Sequence, residues 1–153
     1  LREKQKLKRM MMMTETPLVK AMADASRSPG NSAAVLLATL ETRLDNVVRR
    51  LGFATSVNTA RQLVSHGHVR VDGKHVDIPS YGVRVGQEVS LAPGIKDNVG
   101  VKLALEFAEK KTNRPAYLSF DAEKLTGKLV RQPGREESSF PVNDRLIVEY
   151  YSR

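Results

Sequence analysis

The chain has 153 residues, 41% of them hydrophobic, with 25 Lys and Arg against 17 Asp and Glu, a formal charge of +8. That length supports one compact domain, or a domain with a smaller unit inserted, and the apolar share fills a modest core, which excludes wholesale disorder. The absence of cysteine excludes disulfides and Cys-based zinc, no apolar run approaches the roughly 20 residues needed to cross a bilayer, and the cationic excess favours a polyanionic partner over a membrane.

In chain order, residues 1–9, LREKQKLKR, carry five basic side chains and one acid and lack the apolar core of a signal peptide. Four methionines stand at 10–13, then an Ala-rich stretch of low charge, and Ser26-Arg-Ser-Pro-Gly-Asn-Ser32 reads as a turn or linker. From Ala33 onward, Leu36, Leu37, Leu40, Leu44, Val47, Val48 and Leu51 recur at three- and four-residue spacings, which predicts one face of an amphipathic helix. Gly52 stands where a C-terminal cap belongs. Ser56 is placed to cap a second helix whose apolar face is Ala60, Leu63 and Val64 and whose end is Gly67.

Past Gly67 the period changes to two. Val69 and Val71 alternate with His68 and Arg70, and Val76 and Ile78 flank Asp77. Asp72-Gly73 between them suits a tight hairpin, because both central residues of a type I′ turn need positive φ. Val83, Val85, Val89 and Leu91 predict further strand, interrupted at Gly86. Pro93-Gly94 marks a boundary. Asn98 is placed to cap a helix whose apolar row is Val99, Leu103 and Phe107, with Glu106 and Lys110 as a supporting pair. Residues 117–120 and 146–151 read as extended, and 132–144 as a polar, Pro-containing loop.

All three histidines, His66, His68 and His75, fall within residues 60–77. Zinc needs a fourth ligand or three plus water, and the neighbouring acids Asp72 and Asp77 are committed to the turn and the strand end. Catalysis needs a base with a nucleophile or substrate in reach and a group to orient it, and no phosphate loop, nucleophile elbow or paired-carboxylate motif appears. The residues call for neither an enzyme nor a cofactor.

A polar face accounts for them better. Arg61, Gln62, Ser65 and His66 lie on the side of the second helix opposite Leu63 and Val64. His68 and Arg70 alternate outward on the hairpin, Lys74 sits at its turn, and Arg43, Arg49 and Arg50 lie on the preceding helix. Ser56 and the helix N-terminus offer a hydroxyl and backbone N–H groups, a seat for phosphate. An ordinary solvated face is the plain competitor. With aromatics at 5%, stacking on single strands is not the main mechanism, and shape and phosphate recognition of folded RNA fits better; DNA stays open.

Residues 43–81, RLDNVVRRLGFATSVNTARQLVSHGHVRVDGKHVDIPSY, resemble the small RNA-binding domain first known from protein four of the small ribosomal subunit. It also occurs in other RNA-handling families, so the motif names a domain. The flanks are more specific: LREKQKLKR at 1–9, DAEKLTGKL at 121–129 and PVNDRLIVEYYSR at 141–153 resemble the bacterial-type small-subunit ribosomal protein four family. That family usually carries an extension before the first block, in some members with zinc-binding cysteines, and this chain begins at the block. Residues 10–25 differ from the aromatic and charged segment usual there, Arg49 stands where tyrosine is common, and Val57 where a basic residue is common.

The resemblance implies an α+β protein: a mostly helical subdomain from 1–39 and 95–153, with an αα-hairpin and small twisted β-sheet inserted at 40–94. It implies a structural role, binding ribosomal RNA at a multi-helix junction and nucleating assembly. Implied neighbours are other small-subunit proteins and messenger RNA near its entrance, on a cytoplasmic bacterial or an organellar ribosome, with no membrane and no small-molecule substrate. By motif match, Arg43, Arg49, Arg50, Ser56, Thr59, Arg61, Gln62, Ser65, His66, His68, Arg70 and Lys74 are candidate RNA contacts. Arg2, Lys4, Lys6, Lys8 and Arg9 form a second set. The alternative is a non-ribosomal regulator or quality-control factor using the same domain.

Overall fold

The structure is a computed structural model and describes residues 32–111 and 114–134. The expected turn at 26–32, the strand at 146–151 and most of the loop at 132–144 lie outside the described residues. The chain divides into two compact units, one of residues 1–41 with 133–153 and one of residues 42–132. Of the first, the described part is essentially helix α1, Ser32–Glu41, in which Leu37 and Leu40 are buried.

The second unit opens with α2, Leu44–Leu51, and α3, Val57–Ser65. The single helix expected from Ala33 to Leu51 is broken: Thr42 and Arg43 are non-helical, with Arg43 at φ −59°, ψ 143°. The cause is tertiary. A helix start has backbone donors with no partner in the helix, and here a distant segment supplies acceptors. The Leu44 N–H donates to the Tyr81 carbonyl at 2.8 Å and the Asp45 N–H to that of Pro79 at 3.2 Å, while the Val83 N–H donates to the Thr42 carbonyl at 2.9 Å.

Both helices end on the same device. At the end of α2 the Gly52 N–H donates to the Arg49 carbonyl and the Phe53 N–H to that of Val48; at the end of α3, Gly67 donates to Val64 and His68 to Leu63. These are Schellman motifs, which need a left-handed residue, supplied by Gly52 at φ 100° and Gly67 at φ 79°. At the start of α3 the Ser56 hydroxyl accepts from the Thr59 N–H at 3.1 Å, as the sequence predicts. Ser56→Ala should therefore cost about 1 kcal/mol of stability, measurable as a shift in urea midpoint at unchanged m-value.

The sheet has five antiparallel strands in the order β2-β1-β3-β5-β4: β1 Val69–Val71, β2 Lys74–His75, β3 Glu88–Leu91, β4 Leu118–Asp121 and β5 Thr126–Leu129. The expected hairpin is present, with Arg70 opposite His75 and Val71 opposite Lys74 and positive φ at both Asp72 and Gly73. The strand expected from Val83 is confined to 88–91. Val83 is buried, whereas Val85 is 49% exposed beside Gly86 at φ 94°.

The sheet also runs past residue 94, where the inserted unit was expected to end. Strand β5 pairs with β3, Val89 facing Gly127, so that one core joins Leu44, Leu51, Phe53 and Val69 with Tyr117, Leu118 and Leu129. Helix α4, Val99–Lys111, packs into the same unit after a 3-10 turn at Pro93–Ile95. Asn98 caps it, its Oδ1 accepting from the Val101 N–H at 3.2 Å. Its buried face differs from the expected one: Val101, Ala104 and Ala108 are inside, and Val99, Leu103 and Phe107 are exposed. Small side chains win because α4 passes close to Gly52, whose missing Cβ would sit 2.6 Å from that of Ala108. Among the described residues no helix is long and apolar enough to cross a membrane.

Candidate nucleic-acid interface

Helix α3 sorts its side chains cleanly. Val57, Ala60, Leu63 and Val64 are buried, while Asn58, Thr59, Gln62, Ser65 and His66 are exposed and Arg61 is half-buried. The exposed side is therefore a hydrogen-bonding strip: the Ser56 hydroxyl donates to that of Thr59 at 2.9 Å, and the Ser65 hydroxyl to the Gln62 carbonyl at 3.3 Å. Gly67 then turns the chain so that the His66 and His68 rings stand edge to face with centroids 6.4 Å apart.

Strand register sets out a polar row on the sheet. Val69 and Val71 are buried, so Arg70, between them, takes the opposite face of the sheet. Directly across from Arg70 are His75 on β2 and Ser90 on β3, and Ser90 faces Thr126. Cross-strand partners share a face, which aligns His75, Arg70, Ser90 and Thr126. Lys74 pairs instead with Val71 and is exposed at the sheet edge. His75 was not among the expected contacts, yet its register places it beside Arg70; the alternation of period two, run through the two-residue turn, carries that signal. Lys128, paired with Glu88, is a second residue missed, because β5 lies outside the expected unit.

Arg43, expected on the helix, stands just before α2, and it and the arginines of α2 are anchored rather than loose. Arg43 Nε and Nη2 donate to the Asp45 carboxylate, one to each oxygen, at 3.2 Å. From α3, Arg61 Nε donates to the same Asp45 Oδ2 at 3.3 Å. Arg49 Nη2 donates to Asn46 Oδ1 at 2.7 Å, and Arg50 is half-buried. Asp45 and Asn46 are fully buried and were absent from the expected set. Arg2, Lys4, Lys6, Lys8 and Arg9 lie outside the described residues.

Arg114 was also unforeseen. Its Nε donates to the Leu51 carbonyl at 2.7 Å and its guanidinium lies 3.8 Å from the Phe120 ring centroid, a cation held against the negative end of α2. Burial lowers its pKa from the ordinary arginine value, against a smaller opposing effect of Glu109. Among the described residues no group of three or more His, Asp or Glu is gathered as a metal site.

This combination of paired helices, glycine caps, hairpin and polar strip coincides with a match to the S4 domain family over residues 42–89. The similarity extends well beyond that domain. The chain is 46% identical over 153 residues to small ribosomal subunit protein uS4 of Acidobacterium capsulatum, covering all of this chain and 73% of the relative. Identity is 45% over 153 residues to the protein of that name in Thermus thermophilus, again covering 73% of it. It is 47% over 154 residues to that of Limosilactobacillus reuteri, covering 75%. Identity of this extent, running through both flanks as well as the S4 domain, makes the chain a member of the small ribosomal subunit protein uS4 family.

Proposed function

We propose that this chain is a structural component of the small ribosomal subunit that binds ribosomal RNA at a multi-helix junction and helps to nucleate assembly. The observation that carries the reading is similarity over the whole chain to relatives named for that subunit. The strip of Ser56, Thr59, Gln62, Ser65 and His66, with His68 beside it and Arg70 on β1, supplies hydrogen-bond donors and cations, the chemistry that phosphate and 2′-hydroxyl recognition uses. Arg43, Arg49, Arg50, Arg61 and Lys74 add charge around it, and the basic 1–9 block supplies a second contact. The role is binding rather than catalysis, exercised on the ribosome beside other small-subunit proteins, with messenger RNA passing near.

The test is a salt series of binding to small-subunit ribosomal RNA, with transfer RNA and duplex DNA as competitors. Log K should fall against log salt by roughly 0.7–0.9 for each phosphate neutralised, and neither competitor should displace the RNA. Arg70→Ala should flatten the slope by about one contact. Equal binding to all three nucleic acids would refute the ribosomal assignment while leaving a basic face.

A further inference from the structure

We infer that Asp45 is a positioning residue: a buried carboxylate that clamps Arg43, just before α2, and Arg61, on α3, into one fixed pair of cations for the RNA backbone. The inference rests on the proposed RNA-binding role and names a device within that surface. Asp45 is fully buried and holds its place through two helical features. It lies in the first turn of α2, where the helix dipole favours an anion, and its Oδ1 accepts from the Asn46 N–H at 2.7 Å. Arg43 meets both of its oxygens, the fork arrangement that fixes a guanidinium plane, and Arg61 reaches the same Oδ2 from α3.

An anion amid cations is a paradox for a surface selected to attract RNA, since it subtracts charge. Nor is stability a sufficient reason, because an apolar replacement for a buried ion pair often serves as well or better. What the carboxylate supplies is geometry. Two neighbouring guanidinium groups repel one another, and a long arginine side chain loses rotamer freedom on binding. A shared anion removes the repulsion and has the ordering done before RNA arrives. Arg61 keeps 27% of its side chain exposed and Arg43 keeps 12%, so the clamped pair still borders solvent.

The two views of Asp45 differ in sign. Asp45→Asn raises the net charge by one, and charge counting alone expects tighter, more salt-dependent RNA binding. Positioning expects the reverse: affinity of the full chain for small-subunit ribosomal RNA about 5- to 30-fold weaker, with the salt slope flattened by about one contact. Arg61→Lys preserves charge but removes the Nε–H that meets Asp45 Oδ2, and it tests the same point should Asp45→Asn fold poorly by circular dichroism. Weaker binding with a flatter slope for Arg61→Lys supports the clamp, and an unchanged slope and affinity overturns it. Equal or tighter binding by a folded Asp45→Asn protein also overturns it, while leaving the RNA-binding role intact. Absence of salt-steep binding in the unsubstituted chain overturns that role and the clamp with it.

Discussion

Gly52→Ala is expected to destabilise the 42–132 unit by about 2–5 kcal/mol, combining left-handed backbone strain with overpacking. Gly52 closes α2 at φ 100°, a region where a Cβ crowds the following carbonyl. The added methyl would also meet the Ala108 Cβ at 2.6 Å and the Arg114 Nη2 at 3.3 Å. A long side chain can swing aside, but a Cβ is fixed to its backbone, so α4 itself must move. For a unit of this size each kcal/mol shifts the midpoint by about 4–8 °C, so the loss is readily seen in a thermal melt.

The two causes separate in a double-mutant cycle. Ala108→Gly removes the opposing methyl and should recover the overpacking share of Gly52→Ala, while the φ strain persists. A coupling energy of about 1–3 kcal/mol between the two sites is expected. Additive effects would show that α4 adjusts without cost and that strain is the whole penalty.

Features legible in the sequence are those specified locally. Ser56 as a cap, Gly52 and Gly67 as left-handed ends, Asn98 before α4 and Asp72-Gly73 as the hairpin turn each depend on a few neighbouring residues, and each is found where expected. Illegible features depend on residues far along the chain. The periodicity through Leu40 and Leu44 is continuous, yet the helix breaks because residues 79–83 take up the backbone groups at the start of α2. On α4 the large residues Val99, Leu103 and Phe107 advertise a buried face, but close approach to Gly52 selects the small ones. The candidate site was legible as residue types on α3 and β1, whose polar positions follow from the buried ones. Asp45 was not, since the continuous periodicity puts it in the interior of one longer helix; only folding starts α2 at Leu44 and brings Arg61 to it.

The boundary at Pro93-Gly94 has the largest physical consequence. A fragment of residues 40–94 is expected to lack a cooperative thermal transition, and one of residues 42–132 to melt in a single one. The shorter piece contains the motif that matches the S4 domain, so sequence alone would favour its independence. Its core would nevertheless lack Val101, Tyr117, Leu118 and Leu129, all buried in the complete unit, Tyr117 and Leu129 completely. Losing one large core side chain costs roughly 2–5 kcal/mol, and domains hold only about 5–15 kcal/mol in total. Strand β3 would also lose its β5 partner and become an exposed edge. Leu51, whose side chain closes against Gly127 so tightly that a Cβ there would collide with it, would face water. Amide exchange distinguishes the outcomes: protection in Val47, Val48 and Leu51 of the longer fragment, and its absence from the shorter. Strong protection in both would mean that two helices and three strands suffice, and that α4, β4 and β5 add an interface rather than a core.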